Sequence, residues 1–324
     1  MNQEKMKELE KTINSDYSNI VGILVQKNGI KLYENYFNGY TADNAVHVFS
    51  VTKSVFSALI GIAIDKGFIK SADQKVLDFF PDYAVKAGEK TIQGITLKNL
   101  LTMTAPYKYK SEPYEEFFAS DNWVNSALDL LGGEKHTGEF MYSPIIGTHI
   151  LSGILVKATG QPVLAFAAEH LFSPLGIKVT HNVVLRNKEE HIAVMNDKNT
   201  SGWVVDPQGI NTASWGLFLT PEDMAKIGQL YLNGGKWENK QIISEKWIEE
   251  STKEHIRLDR LSYGYLWWIF DNKELIYAAL GDGGNVIYIN TKKKMVVSIA
   301  SLFMPDAKDR IGLIMECIEP IFED

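Results

Sequence analysis

The stretch VFSVTKSVFSALIG, residues 48–61, places Ser50 and Lys53 three residues apart inside a run that is otherwise almost wholly apolar. Residues three and four apart on a helix share a face. Ser50, Lys53, Ser54, Ser57 and Gly61 therefore make one narrow stripe, while Val51, Val55, Phe56, Leu59, Ile60, Ile62 and Ile64 take the rest of the circumference. Such a helix is enclosed by core on most sides, and its polar stripe is expected to face a cleft or solvent. In one reading Ser50 caps the helix and Lys53 points into water, although a lysine in the first turn opposes the helix dipole. In the other, Ser50 is a nucleophile and Lys53 its base, with burial and the dipole pushing the amine toward its neutral form. The free N–H groups of the helix start are then available to an oxyanion. Spacing alone does not choose between them. With 19 serines and 29 lysines, chance gives about 1.7 Ser-x-x-Lys matches, and the chain has one.

Upstream, a charged amphipathic helix leads into NIVGILVQKNGIKLYENYFNGY, two strands joined at Lys27-Asn28-Gly29, a hairpin signal. Downstream, Gly67 can close the Ser50 helix. From about Ser71 to Gly235 the pattern is mostly helical, and Thr220-Pro221-Glu222-Asp223 has the cap, proline and acids of a helix start. After a further helix, YGYLWWIF, ELIYAALG, NVIYINT and MVVSIASLF read as successive antiparallel strands, and a closing helix runs from about Asp306 to Ile321. Strands at both chain ends with helices between them predict an α+β fold. An antiparallel sheet built from both ends and flanked by terminal helices carries an all-α insertion. Residues 1–72 and 240–324 form the sheet subdomain, residues 73–239 the helical one, and the active site is expected between them.

The composition is globular, 45% hydrophobic and 23% charged, and a net charge of -7 argues against nucleic acid or anionic membranes as partners. Cys317 is the single cysteine; its apolar surroundings predict a buried, inert thiol. No apolar run is long enough to span a bilayer and no signal-peptide core is visible, so a cytoplasmic location is expected. Gly-x-Ser-x-Gly, His-Glu-x-x-His, paired cysteines and a Walker loop are all missing, and neither a metal nor a cofactor is expected. His47 reads as a packed strand histidine, Glu139 as a loop surface charge, and Trp203, Trp215, Trp267 and Trp268 default to core.

Two more segments complete a constellation. GEFMYSPIIG supplies Tyr142 in a loop before a helical run, and AALGDGGNVIYIN supplies Gly281, Gly283 and Gly284 at a strand entrance, where glycine lets a ligand approach backbone N–H groups. In this chain order the three motifs resemble the serine β-lactamase/penicillin-binding family, nearest its class C branch and the related esterases, DD-peptidases and amide hydrolases. DKGFIKSADQKVLDFFPDY, ITLKNLLTMTAP and WGLFLTPEDMAKIGQLYLNGGKW extend the likeness over nearly the whole chain.

The resemblance implies a hydrolase acylated on Ser50, with Lys53 and Tyr142 sharing the proton work. It also implies an oxyanion hole from the Ser50 and Asn285 backbone N–H groups, and a substrate site lined by Asp282, Gly283, Gly284 and Pro144. Two residues depart from the family pattern. Pro144 stands where Tyr-x-Asn has its amide, and Asp282 stands where the third motif has Lys or His. An acid at that place repels a carboxylate. The expected substrate is therefore a small neutral or amine-bearing ester or amide, rather than a penicillin or a D-Ala peptide. The alternative is a non-catalytic relative that binds a ligand or partner. The oligomeric state is left open.

Overall fold

The computed structural model describes residues 3–323. Helix α1 (Gln3–Asp16) leads into the hairpin β1 (Ile20–Lys27) and β2 (Ile30–Tyr36). Asn28 and Gly29 turn it with φ of 53° and 75°, the left-handed pair that a tight hairpin requires. A short strand, β3 (Val46–His47), pairs with β4 (Phe218–Leu219) and ties the chain just ahead of Ser50 to a distant part of the sequence. Helix α2 (Val51–Asp65) follows directly. The chain then passes through the helical region, which includes α3 (Tyr114–Phe118), α4 (Ile146–Thr159) and α5 (Pro221–Leu232). It returns as β5 (Ile256–Leu258), β6 (Leu261–Tyr263), β7 (Trp268–Asp271), β8 (Ile276–Gly281), β9 (Asn285–Asn290) and β10 (Met295–Ser301).

These make one eight-stranded antiparallel sheet in the order β2-β1-β10-β9-β8-β7-β6-β5. Pairs such as Ile23 with Ile299 and Val25 with Val297 join the two ends of the chain, as the α+β reading required. Side chains alternate across a strand. Met295, Val297 and Ile299 accordingly face Leu9 and Ile13 of α1 and the C-terminal helical segment, while Val296 and Ala300 face the opposite side with α2 and α5. Among the described residues no single helix is long and apolar enough to cross a bilayer.

Four details differ from the expectation. Helix α5, assigned by sequence to the helical part, lies on the sheet, where Ser298 Oγ donates to the Pro221 carbonyl at 2.7 Å. The polar stripe of α2 does not reach solvent along its length. Ser54 Oγ donates to the Leu266 carbonyl at 2.6 Å and Trp247 presses on Gly61, so only the first turn is left to face a cleft. The closing helix begins at Arg310, where Asp309 caps it, and continues as a π-turn over Ile314–Ile318. That wider turn displaces Cys317 from the apolar stripe, and the thiol is exposed rather than buried.

Candidate active site

Ser50 is delivered by a strained turn. The Val48 N–H donates to the Leu217 carbonyl at 2.9 Å, extending the β3–β4 pairing up to Phe49. Phe49 then adopts φ of 48°, a left-handed conformation that costs a residue of this size roughly 1–2 kcal/mol. Thr52 holds it there, donating to the Phe49 carbonyl from both its N–H (3.0 Å) and its Oγ1 (2.6 Å). An ordinary N-cap serine keeps an extended backbone and bonds back to the helix. Ser50 is already helical at φ -69°, ψ -6°, and its side chain makes no cap bond. Its Oγ lies instead 2.8 Å from Lys53 Nζ, one turn along α2.

Lys53 is 2% exposed, and its Nζ also donates to the Ser214 carbonyl at 3.2 Å. Burial lowers its pKa to about 7, against the opposing pull of Asp282 and Glu112. The amine is thus poised between donor and acceptor near neutral pH. Tyr142 stands across the serine, in the segment just before α4, with its hydroxyl near enough to the Ser50 side chain for the two to interact. Its ring, 39% exposed at the cleft mouth, lies 5.7 Å from Lys53 Nζ and 6.0 Å from the Trp268 ring. Desolvation within the cleft pushes the hydroxyl up to about 12; interaction with the Ser50 side chain opposes the rise, and Asp282 and Glu112 add to it. Pro144 is half-buried beside this loop and presents no amide.

The third side of the site is the turn between β8 and β9. Gly281, at the end of β8, lies directly against the serine: a Cβ there would come within 2.2 Å of the Val48 carbonyl and 3.3 Å of the Ser50 nitrogen. Gly283 takes φ of 74° with its Cα turned onto the Leu302 carbonyl, 2.4 Å from any added Cβ, so only glycine fits. Gly284 follows at φ of 89°. Asp282 is exposed at the tip of the turn, and its charge acts on Lys53 and Tyr142. Asn285 pairs with Gly281 across the ladder and is fully buried. Its Nδ2 donates to the Asp282 and Ser301 carbonyls (2.9 and 3.0 Å), which locks the turn.

Ser50, Lys53, Tyr142 and Asp282 therefore converge, with Gly283, Gly284, Asn285 and Pro144 shaping the surround. Three participants were not read from the sequence: the strained Phe49, the Ser214 carbonyl, and Glu112, whose carboxylate lies under the Tyr142 loop. None carries a local pattern that marks it. Trp203, Trp215 and Trp267 are core, as expected, and Trp215 also walls a cavity of about 350 Å³ with Phe118, Trp123 and His191, whereas Trp268 is half-buried and packs on Tyr142. A second cavity, about 520 Å³, borders the Asp282–Asn285 turn beside Phe303 and Met304. His47 is the packed strand histidine expected, with Phe49 and Phe218 rings at 4.1 and 5.2 Å; burial, with His191, lowers its pKa to about 3. Among the described residues no group of three His, Cys, Asp or Glu side chains is placed to hold a metal ion.

Residues 16–315 match the Beta-lactamase family. The chain belongs to that family, a family of hydrolases. Among curated relatives, it is 23% identical over 314 residues to the 6-aminohexanoate-dimer hydrolase of Paenarthrobacter ureafaciens, covering 90% of this chain and 74% of that one. Among solved structures, a penicillin-binding protein homolog from Caulobacter crescentus aligns with a TM-score of 0.71 at 16% identity, over 93% of this chain and 91% of that one. A family VIII carboxylesterase aligns at 0.68 and 17% identity, over 97% and 96%. At these identities the structural likenesses establish the β-lactamase/transpeptidase-like fold. Together with the family match they identify the chain as an enzyme, a serine hydrolase of β-lactamase type.

Proposed function

We propose that this hydrolase works through a covalent acyl-enzyme on Ser50 and cleaves an ester or amide whose recognition does not depend on a carboxylate. The observation that carries the reading is the Ser50–Lys53 pair: a hydroxyl 2.8 Å from a buried amine whose pKa burial lowers to about 7. Ser50 Oγ attacks the carbonyl carbon and its proton passes to Lys53 Nζ. The carbonyl electron pair moves to the oxygen, which seats between the Ser50 N–H and the Gly281–Asn285 end of the hairpin, with the Asn285 N–H as the family-derived second donor. The leaving oxygen or nitrogen then takes a proton from Lys53 through the Tyr142 hydroxyl. Water repeats the sequence in reverse to release the acid and restore Ser50.

Because a tyrosinate is unfavourable at a pKa near 12, Lys53 is the base and Tyr142 the relay. Asp282 at the cleft edge favours neutral or amine-bearing substrates over carboxylates. Of the relatives, one is named for the 6-aminohexanoate dimer, an amide with both an amine and a carboxylate end, and another is a carboxylesterase; they support ester and amide cleavage, while the restriction on carboxylates rests on Asp282 alone. The cleft lies between the sheet part and the helical part, with α5 counted to the sheet.

Intact-mass analysis after incubation with a fluorophosphonate or p-nitrophenyl acetate tests this directly. The expected result is one covalent adduct that Ser50→Ala abolishes, and turnover whose kcat/KM rises with pH through about 7 as Lys53 loses its proton. A panel of esters and amides with no Ser50-dependent adduct would establish a binding protein instead. Efficient hydrolysis of benzylpenicillin would remove the restriction on carboxylates.

A further inference from the structure

Resting on the acylation of Ser50, we propose that Glu112 is a positioning residue that fixes the Tyr142 loop against the serine. Helix α4 begins immediately after this loop, and its local sequence supplies an acceptor, Ser143 Oγ, only to the Gly147 N–H. Pro144 has no N–H and Ile145, at the N-cap position, offers no acceptor. The acceptor for the two N–H groups before it comes from a segment more than thirty residues upstream. Glu112, 9% exposed, accepts from the Ile146 N–H at 2.9 Å and from the Ile145 N–H at 3.1 Å. It also accepts from the Ser143 hydroxyl and, at 3.3 Å, from the Tyr109 hydroxyl. One carboxylate therefore satisfies the leading two N–H groups of a 14-residue helix, where the helix dipole favours an anion, together with the side chain next to Tyr142.

The network is closed from below. Ser143 Oγ accepts from the Gly147 N–H at 2.8 Å and lies 3.0 Å from the Tyr109 hydroxyl, while Tyr109 stacks on Tyr107 at 5.1 Å. Residue 147 must be glycine here, since a Cβ would fall 1.9 Å from the Tyr107 hydroxyl. Ser143 is thus held at both ends, and the neighbouring Tyr142 has little freedom to leave Ser50. Glu112 does not touch the reacting atoms; it acts through Tyr142, and its charge also reaches Lys53.

Glu112→Ala and Glu112→Gln, compared with wild type by kcat per fluorophosphonate-titrated site, test this assignment. Titration removes the contribution of misfolded protein, and thermal melts run alongside. Displacing a proton relay by an ångström costs about 10²-fold, so Glu112→Ala is expected to lose kcat on that scale with little change in KM. Glu112→Gln keeps an acceptor for the helix N–H groups and is expected to recover most of kcat. Lys53 is faced by Asp282, Glu112 and Tyr142. Removing the Glu112 charge therefore moves the acid limb of the pH–rate profile to lower pH. A purely structural cap would lower the melting temperature while leaving kcat per titrated site and the acid limb unchanged; that result overturns the inference. Failure of wild type itself to label at Ser50 defeats the acyl-enzyme reading, and this inference with it.

Discussion

Burial removes the water that would keep Lys53 protonated, and the fold supplies only part of a replacement. The unfolded amine titrates near 10.4 and the folded one near 7. A base with a lowered folded pKa leaves stability intact above the unfolded value and costs stability as pH falls toward the folded one. At about 1.4 kcal/mol per unit, this amounts to roughly 4 to 5 kcal/mol at pH 7 and below. Lys53→Met, which fills similar space without the charge, is expected to raise stability at pH 7 by about 2 to 4 kcal/mol while abolishing turnover. Urea unfolding midpoints and p-nitrophenyl acetate hydrolysis measure the two effects. A variant less stable than wild type would mean that Lys53 is better paired than its surroundings indicate. At this scale the sequence was informative about Ser50 and Lys53, because a polar pair in an apolar helix is anomalous in itself. It was silent on Phe49, whose strain comes from Thr52 and the β3–β4 pairing.

The elements show the same division between local and distant causes. Asn28-Gly29 was legible as a hairpin because its left-handed backbone is a two-residue property. Gly281 was legible as a place for a ligand to approach, but not as a contact: Val48, more than two hundred positions away, lies against it. Gly281→Ala would drive the strand end away from Ser50 and is expected to lower turnover about 10²-fold and stability by about 1–3 kcal/mol. Gly29→Ala, with φ of 75° in open space, is expected to cost roughly 1–2 kcal/mol and leave turnover per titrated site unchanged. Equal turnover in the two variants would remove β8 from the site. The helix that follows Tyr142 is a further case, since the acceptor for its first N–H groups, Glu112, lies more than thirty residues upstream and carries no local signal.

At the scale of the molecule, the two halves divided by sequence do not have separate cores. One cluster of buried side chains runs from Val21 and Ala300 on the sheet through α2 to Leu151, Phe166 and Phe172 in the helical region. The protein is therefore expected to unfold in urea as one unit. Tryptophan fluorescence, reporting on Trp203 and Trp215 in one half and on Trp267 and Trp268 in the other, should change together with far-UV circular dichroism. Two separated transitions would restore independent domains.

Periodicity, turn residues and chain order pointed to the α+β class and to a sheet built from both ends, because strand and helix patterns are local, and they set Ser50 and Lys53 on one helix face without choosing between a cap and a nucleophile. The protonation state of that lysine, the burial of the α2 stripe, the approach of Gly281 and the Glu112 cap were decided only by the tertiary structure. Each is a matter of dielectric, steric contact or hydrogen bonding between groups that the fold alone brings within a few ångströms.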